Sequence, residues 1–369
     1  MRARQDSASL QRLAYSVVIA TCDRHDILPA CVEHVLQQSR PPREIVIVDA
    51  TLSWQTMKTQ IEAQVSAHGR AIALHYEGAS VRSLTAQRNQ GLALATGDVV
   101  FFIDDDSLMY PDCAKAIMAI YGTDAGRAIV GCQAALADAP PASDFALPMQ
   151  KVTGAKEAAQ RGRLMQWVNR YVLMMAADQM FLPYWGRRST TSNPDLANSA
   201  SEVSLFQGCR MTFRRAELGH APFDADLGGY AAAEDLDASY RASRHGALVE
   251  VRGARIYHHT AASGRLRRGH AAELSAMNVA FLLRKNAGPG LGALLRLYVW
   301  LARRVLAEFL KDLFSGRLGF PQWRAMLRCA ASAWELWFAG SLDLRQRYVD
   351  MQVEIAQRHG DLRDWRRPI

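Results

Sequence analysis

The chain has no long apolar run, no cysteines in C-x-x-C spacing and no glycine-rich phosphate loop, and each absence narrows what it can be. No stretch reaches the roughly 20 apolar residues that cross a bilayer, and Met1 to Ala14 is basic and polar, without the apolar centre of a secretory leader. Six cysteines stand at 22, 31, 113, 132, 209 and 329, with no histidine at zinc-finger spacing. That pattern excludes a metal knuckle and a disulfide framework and fits a reducing compartment. The expectation is a cytoplasmic protein, soluble or peripheral at the inner face of the cytoplasmic membrane. No G-x-G-x-x-G follows the first strand-like run and no G-x-x-x-x-G-K-[ST] occurs, which weighs against a dinucleotide enzyme or a P-loop phosphotransferase. Acids are outnumbered, 36 to 44, giving a net charge of +8 over 369 residues. That excess predicts an anionic partner: nucleic acid, a membrane surface or a phosphorylated substrate.

What is present is organised around one stretch. Val99-Val100-Phe101-Phe102-Ile103 runs straight into Asp104-Asp105-Asp106. Five apolar residues rich in β-branched and aromatic types read as a strand buried on both faces. Ligands of open α/β sheets lie beyond the carboxyl ends of such strands. Asp104 and Asp106 share a side of an extended segment, so a hard divalent cation suits them. As the alternative, Tyr110-Pro111-Asp112 reads as a helix start whose dipole favours nearby acids.

Ahead of it, Ser16 to Cys22 and Glu44 to Val48 read as strands. Asp26 is a candidate N-cap for a helix over Ile27 to Gln38, a polar helix follows at about Trp54 to Ala67, and a third strand at Ala71 to His75. Ser83 to Ala95 is helical and closed by Gly97. This alternation demands right-handed crossovers and a parallel sheet. Its strand ends present Arg24, Asp49 and Asp104.

Ser16 to Arg24, Ile47-Val48-Asp49, Arg88-Asn89-Gln90-Gly91-Leu92 and Asp104-Asp105-Asp106 together resemble the family 2 glycosyltransferases of GT-A fold. Gln207 to Arg215, Phe223-Asp224, Ala233-Glu234-Asp235-Leu236-Asp237 and Val251 to Ser263 with His258-His259 continue the resemblance, over roughly residues 15 to 285. Ala20 replaces a frequent proline, Ala50-Thr51 replaces a more usual acidic or Gly-Ser stretch, and the Q-x-x-R-W signature of processive synthases is absent. The resemblance implies an α/β catalytic domain over 1–287 with a Rossmann-like, largely parallel sheet flanked by helices. A C-terminal amphipathic helical extension would occupy 288–369. It implies inverting transfer of one sugar from a nucleotide-diphosphate sugar to a saccharide or lipid-linked acceptor, as in bacterial surface-polysaccharide biosynthesis, with no nucleic acid partner. Asp104, Asp106 and His258 would hold Mn²⁺ or Mg²⁺, with His259 as the alternative ligand. Asp235 would be the base, assisted by Glu234, although their order stays open. Thr21, Arg24, Asp49, Arg88, Asn89, Asp104 and Asp105 would contact the nucleotide, with a turn role as the alternative for Asp49 and packing beneath the metal loop for Arg88 and Asn89; Arg265, Arg267 and Arg268 would fold over the diphosphate or, alternatively, form a solvated run or touch anionic lipid. Rival implications are a sugar-phosphate nucleotidyltransferase, which needs a basic glycine-rich loop that Thr21 to Arg24 does not provide, and a non-catalytic relative.

Two stretches remain. Lys156 to Met180 reads as a helix, followed by a basic loop at Trp185 to Arg188, in a segment suited to acceptor specificity or a lid. From Gly288, Leu291, Leu294, Leu295, Tyr298, Leu301, Val305 and Phe309 recur at helical spacing, and a second helix carries Trp323, Met326, Trp334, Trp337 and Phe338. These helices suit a membrane interface or, equally, packing on the catalytic domain.

Overall fold

The apolar runs become β1 (Tyr15–Thr21), β2 (Glu44–Asp49), β3 (Ala73–Gly78) and β4 (Val99–Asp104). The computed structural model describes residues 13–143, 145, 147, 167–173, 199–228, 231–259, 266–340 and 342–360. Helices α1 (Leu28–Leu36), α2 (Trp54–His68) and α3 (Leu84–Leu94) connect the four strands. They pair in parallel in the order β3-β2-β1-β4. Beyond β4 the sheet turns mixed. It continues through β8 (Arg210–Arg214), β6 (Ile129–Leu136), β9 (Ala247–His258) and β5 (Ser107–Met109), while β7 (Ala200–Glu202) pairs with β9. Thus the parallel portion ends at the strand carrying the triplet, and β8 runs antiparallel to it.

Alternation along the strands feeds two cores. Val17, Ile19, Phe101 and Ile103 face α1, α2 and α4 (Cys113–Thr123), while Val18, Val100 and Phe102 face the side that holds α3 and α6 (Glu234–Ala242), and the short α5 (Arg215–Leu218) follows β8. α3 lies close to the sheet because a Cβ on Gly91 would collide with Val18. Several local expectations shift. The N-cap of α1 is Ile27, not Asp26, and Pro29 sits in the first turn, where its missing N–H costs nothing. The third strand starts two residues late. Gly97 does not cap α3, which ends at Ala95; it is needed instead where a Cβ would strike Ser16.

The C-terminal helices α7 (Arg268–Ala287), α8 (Leu291–Phe314), α9 (Pro321–Phe338) and α10 (Leu344–Arg358) form a third core. The border expected after residue 287 falls between α7 and α8, which share this core through Leu282, Leu297 and Trp300. The long apolar stripe of α8 divides in two. Leu294, Leu297 and Leu301 turn inward, whereas Leu291, Leu295, Val299 and Leu306 stay exposed. No helix among the described residues is long and apolar enough to cross a membrane. The helix expected at Lys156 to Met180 lies outside the described residues except for a π-helical turn at Val168–Val172, and the Trp185 to Arg188 loop lies outside them altogether.

Candidate active site

The triplet splits by side, as strand alternation demands. Asp104 ends β4, and Asp106 is the second residue of the two-residue turn into β5; both face His258, the last residue of β9, which the Ser107–His258 pairing of β5 with β9 brings opposite. His258 Nε2 lies 3.0 Å from Asp106 Oδ1 and 3.9 Å from Asp104 Oδ2. Asp105 points the other way, where Thr21 Oγ1 donates to it at 2.7 Å and Arg24 Nη1 at 2.8 Å. Arg24 also reaches Asp106 at 3.2 Å. Burial, reinforced by the charge of Asp106, pushes the Asp105 carboxyl up to about 7 against the pull of Arg24 and Thr21. For His258, burial would lower the imidazolium, but contacts with Asp106 and Cys209 outweigh it and lift it to about 11.

One ligand atom each from Asp104, Asp106 and His258 falls within a 4.8 Å cluster. Two carboxylates and an imidazole form a donor set that suits Mn²⁺ or Mg²⁺. His259 does not join the cluster. Its backbone N–H donates to the Asp106 carbonyl, and its buried ring packs near Tyr257.

Arg88 is the hub beneath the cluster. Its side chain is only 2% exposed, and its guanidinium donates to Glu234 at 2.6 Å, to Asp104 at 2.8 Å and to the Gly208 carbonyl at 3.0 Å. A Cβ on Gly208 would come within 2.8 Å of Glu234 Oε1 and 3.1 Å of Arg88 Nη2, so glycine is the residue that fits. Gly208 N–H in turn donates to Asp235 Oδ2 at 2.9 Å, and Leu236 N–H to Oδ1 at 2.8 Å. Burial first, then the charge of Asp235, pushes the Glu234 carboxyl up to about 8 despite Arg88; burial raises Asp235 as well. Glu234 is buried while Asp235 remains partly exposed.

The acids enter from a strained lead-in. Ala231 and Ala233 both adopt positive φ, 48° and 75°, a costly state for a residue with a Cβ. Asn278 of α7 donates to the Ala232 carbonyl between them at 2.8 Å, and Tyr348 of α10 donates to Asn278 at 2.7 Å. Leu227 and Ala231 are buried in the helical core. The helical tail therefore helps to hold the loop that aims Glu234 and Asp235.

Other expected site residues are placed differently. Asp49 is fully buried, and its carboxylate accepts from Tyr76 (2.6 Å), Thr51 N–H (2.8 Å) and His25 (2.9 Å). Asn89 does not face the crevice: its amide donates to and accepts from the backbone of Phe223, which anchors α3 to the loop before α6. Arg267 caps and Arg268 begins α7, while Arg265 lies outside the described residues. Gln87, which no sequence pattern singled out, bridges the Thr21 and Val48 carbonyls and so joins the ends of β1 and β2.

A crevice of about 470 Å³ adjoins the cluster, with Asp104, His258, Glu234 and Asp235 in its lining. The fold and this site define a mixed α/β chain with a candidate cation centre beside a crevice. The glycosyl transferase family 2 model matches residues 16–138, the portion that runs from β1 through the triplet to the end of β6. The likeness to that family is thus confined to the first part of the chain. No curated protein matches it at a significant level. Among solved structures, GalNAc-T7 with UDP, GalNAc and Mn²⁺ is 16% identical with a TM-score of 0.48, covering 74% of this chain and 48% of that one. A mannosyltransferase from Pyrobaculum calidifontis, in complex with GDP-Man and Mn²⁺, is 15% identical (TM-score 0.47; 89% and 92% covered). S. aureus TarS 1–349 in complex with UDP-GlcNAc is 15% identical (TM-score 0.48; 94% and 92% covered).

Proposed function

We propose that the protein is an inverting, metal-dependent glycosyltransferase that moves one sugar from a nucleotide-diphosphate sugar to an acceptor hydroxyl, on a lipid-linked saccharide of cell-surface polysaccharide biosynthesis. The observation that carries this reading is that the Asp104–Asp106–His258 cluster and Asp235 meet at one crevice. Those three residues would hold a divalent ion, which when bound would supply Lewis-acid stabilisation to the departing diphosphate. Asp235 acts as the base: it takes the acceptor proton as the acceptor oxygen bonds to the anomeric carbon and the bond from that carbon to the phosphate oxygen breaks. Its raised proton affinity suits that task, and the Gly208 and Leu236 N–H groups fix its orientation. Glu234, locked to Arg88, assists by keeping the start of α6 against the end of β4. Thr21, Arg24 and Asp105 form the donor side, where Arg24 turns to the diphosphate as the donor enters. Asp49 sets the nucleotide rim through His25.

The exposed apolar stripe on α8, with exposed Arg296 on the same helix and exposed Trp334 and Phe338 on α9, supports a peripheral position on an anionic membrane. The deciding experiment measures release of nucleotide diphosphate from a panel of nucleotide sugars with Mn²⁺. Asp106→Ala and Asp235→Ala are each expected to lower the rate by at least about a hundredfold. An undiminished rate in both variants removes the assignment.

A further inference from the structure

Helices α7 and α8 wall one side of the crevice, with Ser275 and Arg304 in its lining. Among the described residues α10 does not line it, yet one face of α10 reaches the loop that leads to Glu234 and Asp235. Arg345, Tyr348 and Gln352 stand three and then four residues apart, so they share a side of the helix. Arg345 Nε pairs with Asp226, at 2.6 Å to Oδ2 and 2.7 Å to Oδ1. Gln352 Nε2 donates to the Asp226 carbonyl at 2.8 Å. Tyr348, fully buried and stacked on Phe281 at 3.9 Å, donates to Asn278, whose amide donates to the Ala232 carbonyl. From the opposite direction, Thr85 of α3 donates to the Leu227 carbonyl at 3.0 Å. The lead-in to α6 is therefore held between α3 and α10.

The three contacts from α10 are unequal. Arg345 is 70% exposed, and an ion pair open to water contributes little. Asn278 is fully buried, and turning its N–H toward Ala232 leaves its Oδ1 in need of a donor inside the protein. The Tyr348 hydroxyl is that donor. Positive φ at Ala231 and Ala233 persists only while the surroundings enforce it, and the Ala232 carbonyl lies between them. Asn286 of α7 donates to Asp237 at 2.8 Å, so α7 grips the start of α6 on both sides of Glu234 and Asp235.

We propose that Tyr348 is a positioning residue for sugar transfer: through Asn278 it keeps the Ala231–Ala233 lead-in in the conformation that seats Asp235 against Gly208. The inference rests on the transferase reading above and adds to it a residue of the C-terminal bundle. The cation cluster sits at the ends of β4 and β9, outside the lead-in, so cation and donor binding are separable from this role.

Tyr348→Phe keeps the stacked ring and removes only the hydroxyl. In the full chain, with Mn²⁺ and the nucleotide sugar that the panel identifies, kcat is expected to fall about tenfold. KM for the donor and the calorimetric affinity for Mn²⁺ are expected to stay within about twofold. Hydrogen exchange at the amides of residues 233–237 is expected to speed up, while that of α9 is unchanged. Because the hydroxyl acts through the amide, adding Tyr348→Phe to Asn278→Leu is expected to lower kcat no further than Asn278→Leu does. Ile355→Ala, in the helical core two turns further along α10, supplies the comparison. It is expected to lower the melting temperature at least as much while keeping kcat within about twofold. A kcat unchanged by Tyr348→Phe, additive losses in the double variant, or an equal loss of kcat in Ile355→Ala overturns the inference and leaves the transferase reading in place. If the unmodified chain releases no nucleotide diphosphate from any sugar of the panel, the transferase reading fails and the inference falls with it.

Discussion

Arg88 is a fully buried cation whose position depends on two acids far away in sequence. Replacing it with Met leaves Asp104 and Glu234 facing each other without their shared guanidinium, and removing one partner of a buried pair costs about 3–5 kcal/mol. Urea unfolding of Arg88→Met should show a loss of that order. Gly208→Ala places a methyl group against the same ion pair, so a smaller loss of stability with a marked fall in transfer rate is expected. At His258, the imidazolium retained beside Asp106 must give up its proton to become a ligand. Calorimetry of Mn²⁺ binding in buffers of different ionisation enthalpy should report about one proton released per ion at neutral pH, with weaker binding as pH falls. The triplet was legible as chemistry because it follows a buried strand, and the acids of α6 because Ala233 to Asp237 resembles a family motif. The part Arg88 plays was not, because a helical arginine looks alike whether it meets a nucleotide or an ion pair; only the chain's return through Gly208 and Glu234 decides. Asn89 shows the converse: its neighbourhood in the motif pointed to ligand, and its amide went to Phe223.

At the scale of elements, the end of the sheet away from the site is clasped by Glu44. Its carboxylate accepts from Ser16 Oγ at 2.5 Å, Thr96 N–H at 2.6 Å and Thr96 Oγ1 at 2.9 Å, tying β1 and β2 to the turn before β4. Burial would raise this carboxyl, but the hydrogen bonds from Ser16 and Thr96, with His75 nearby, bring it below its ordinary value of 4.5. The folded state thus holds that proton less tightly than the unfolded chain, so the clasp stabilises above the ordinary value and is lost as pH falls through the folded one. Glu44→Gln should therefore destabilise at pH 7, with the difference closing under acid, as followed by thermal melts. The α6 lead-in behaves differently. Asn278→Leu removes the bond to the Ala232 carbonyl and should lower transfer about tenfold while donor binding, read by thermal shift, persists. Strand positions were legible to within a few residues because β-branched runs and period-two burial are local properties. The mixed second half of the sheet was not, since β8 and β9 pair with strands far away in sequence, β8 antiparallel to β4 and β9 parallel to β6.

For the whole molecule, the tail has two apolar faces, one buried in the helical core and one exposed. The periodicity made the helices visible, yet membrane and packing predict the same spacing, and only the position of α7 shows that packing claims the inner face. Deleting everything from Gly288 would strip Leu282 and Phe281 of α7 of their partners. The shortened chain should aggregate instead of merely leaving a membrane, and size-exclusion chromatography after expression checks this. The outer face is better probed in the intact chain: Leu295→Glu with Leu306→Glu should abolish flotation with anionic vesicles while leaving the melting temperature within a few degrees. If the unmodified chain does not float, the exposed face does not serve a membrane.

The wall shared by α7 and α8 has an engineering consequence. A chimera that grafts a foreign α7–α10 bundle onto these strands exchanges one jaw of the cleft and leaves the opposite jaw native. Such hybrids would keep the acids of α6 correctly aimed only where the foreign bundle supplies an amide in the place of Asn278.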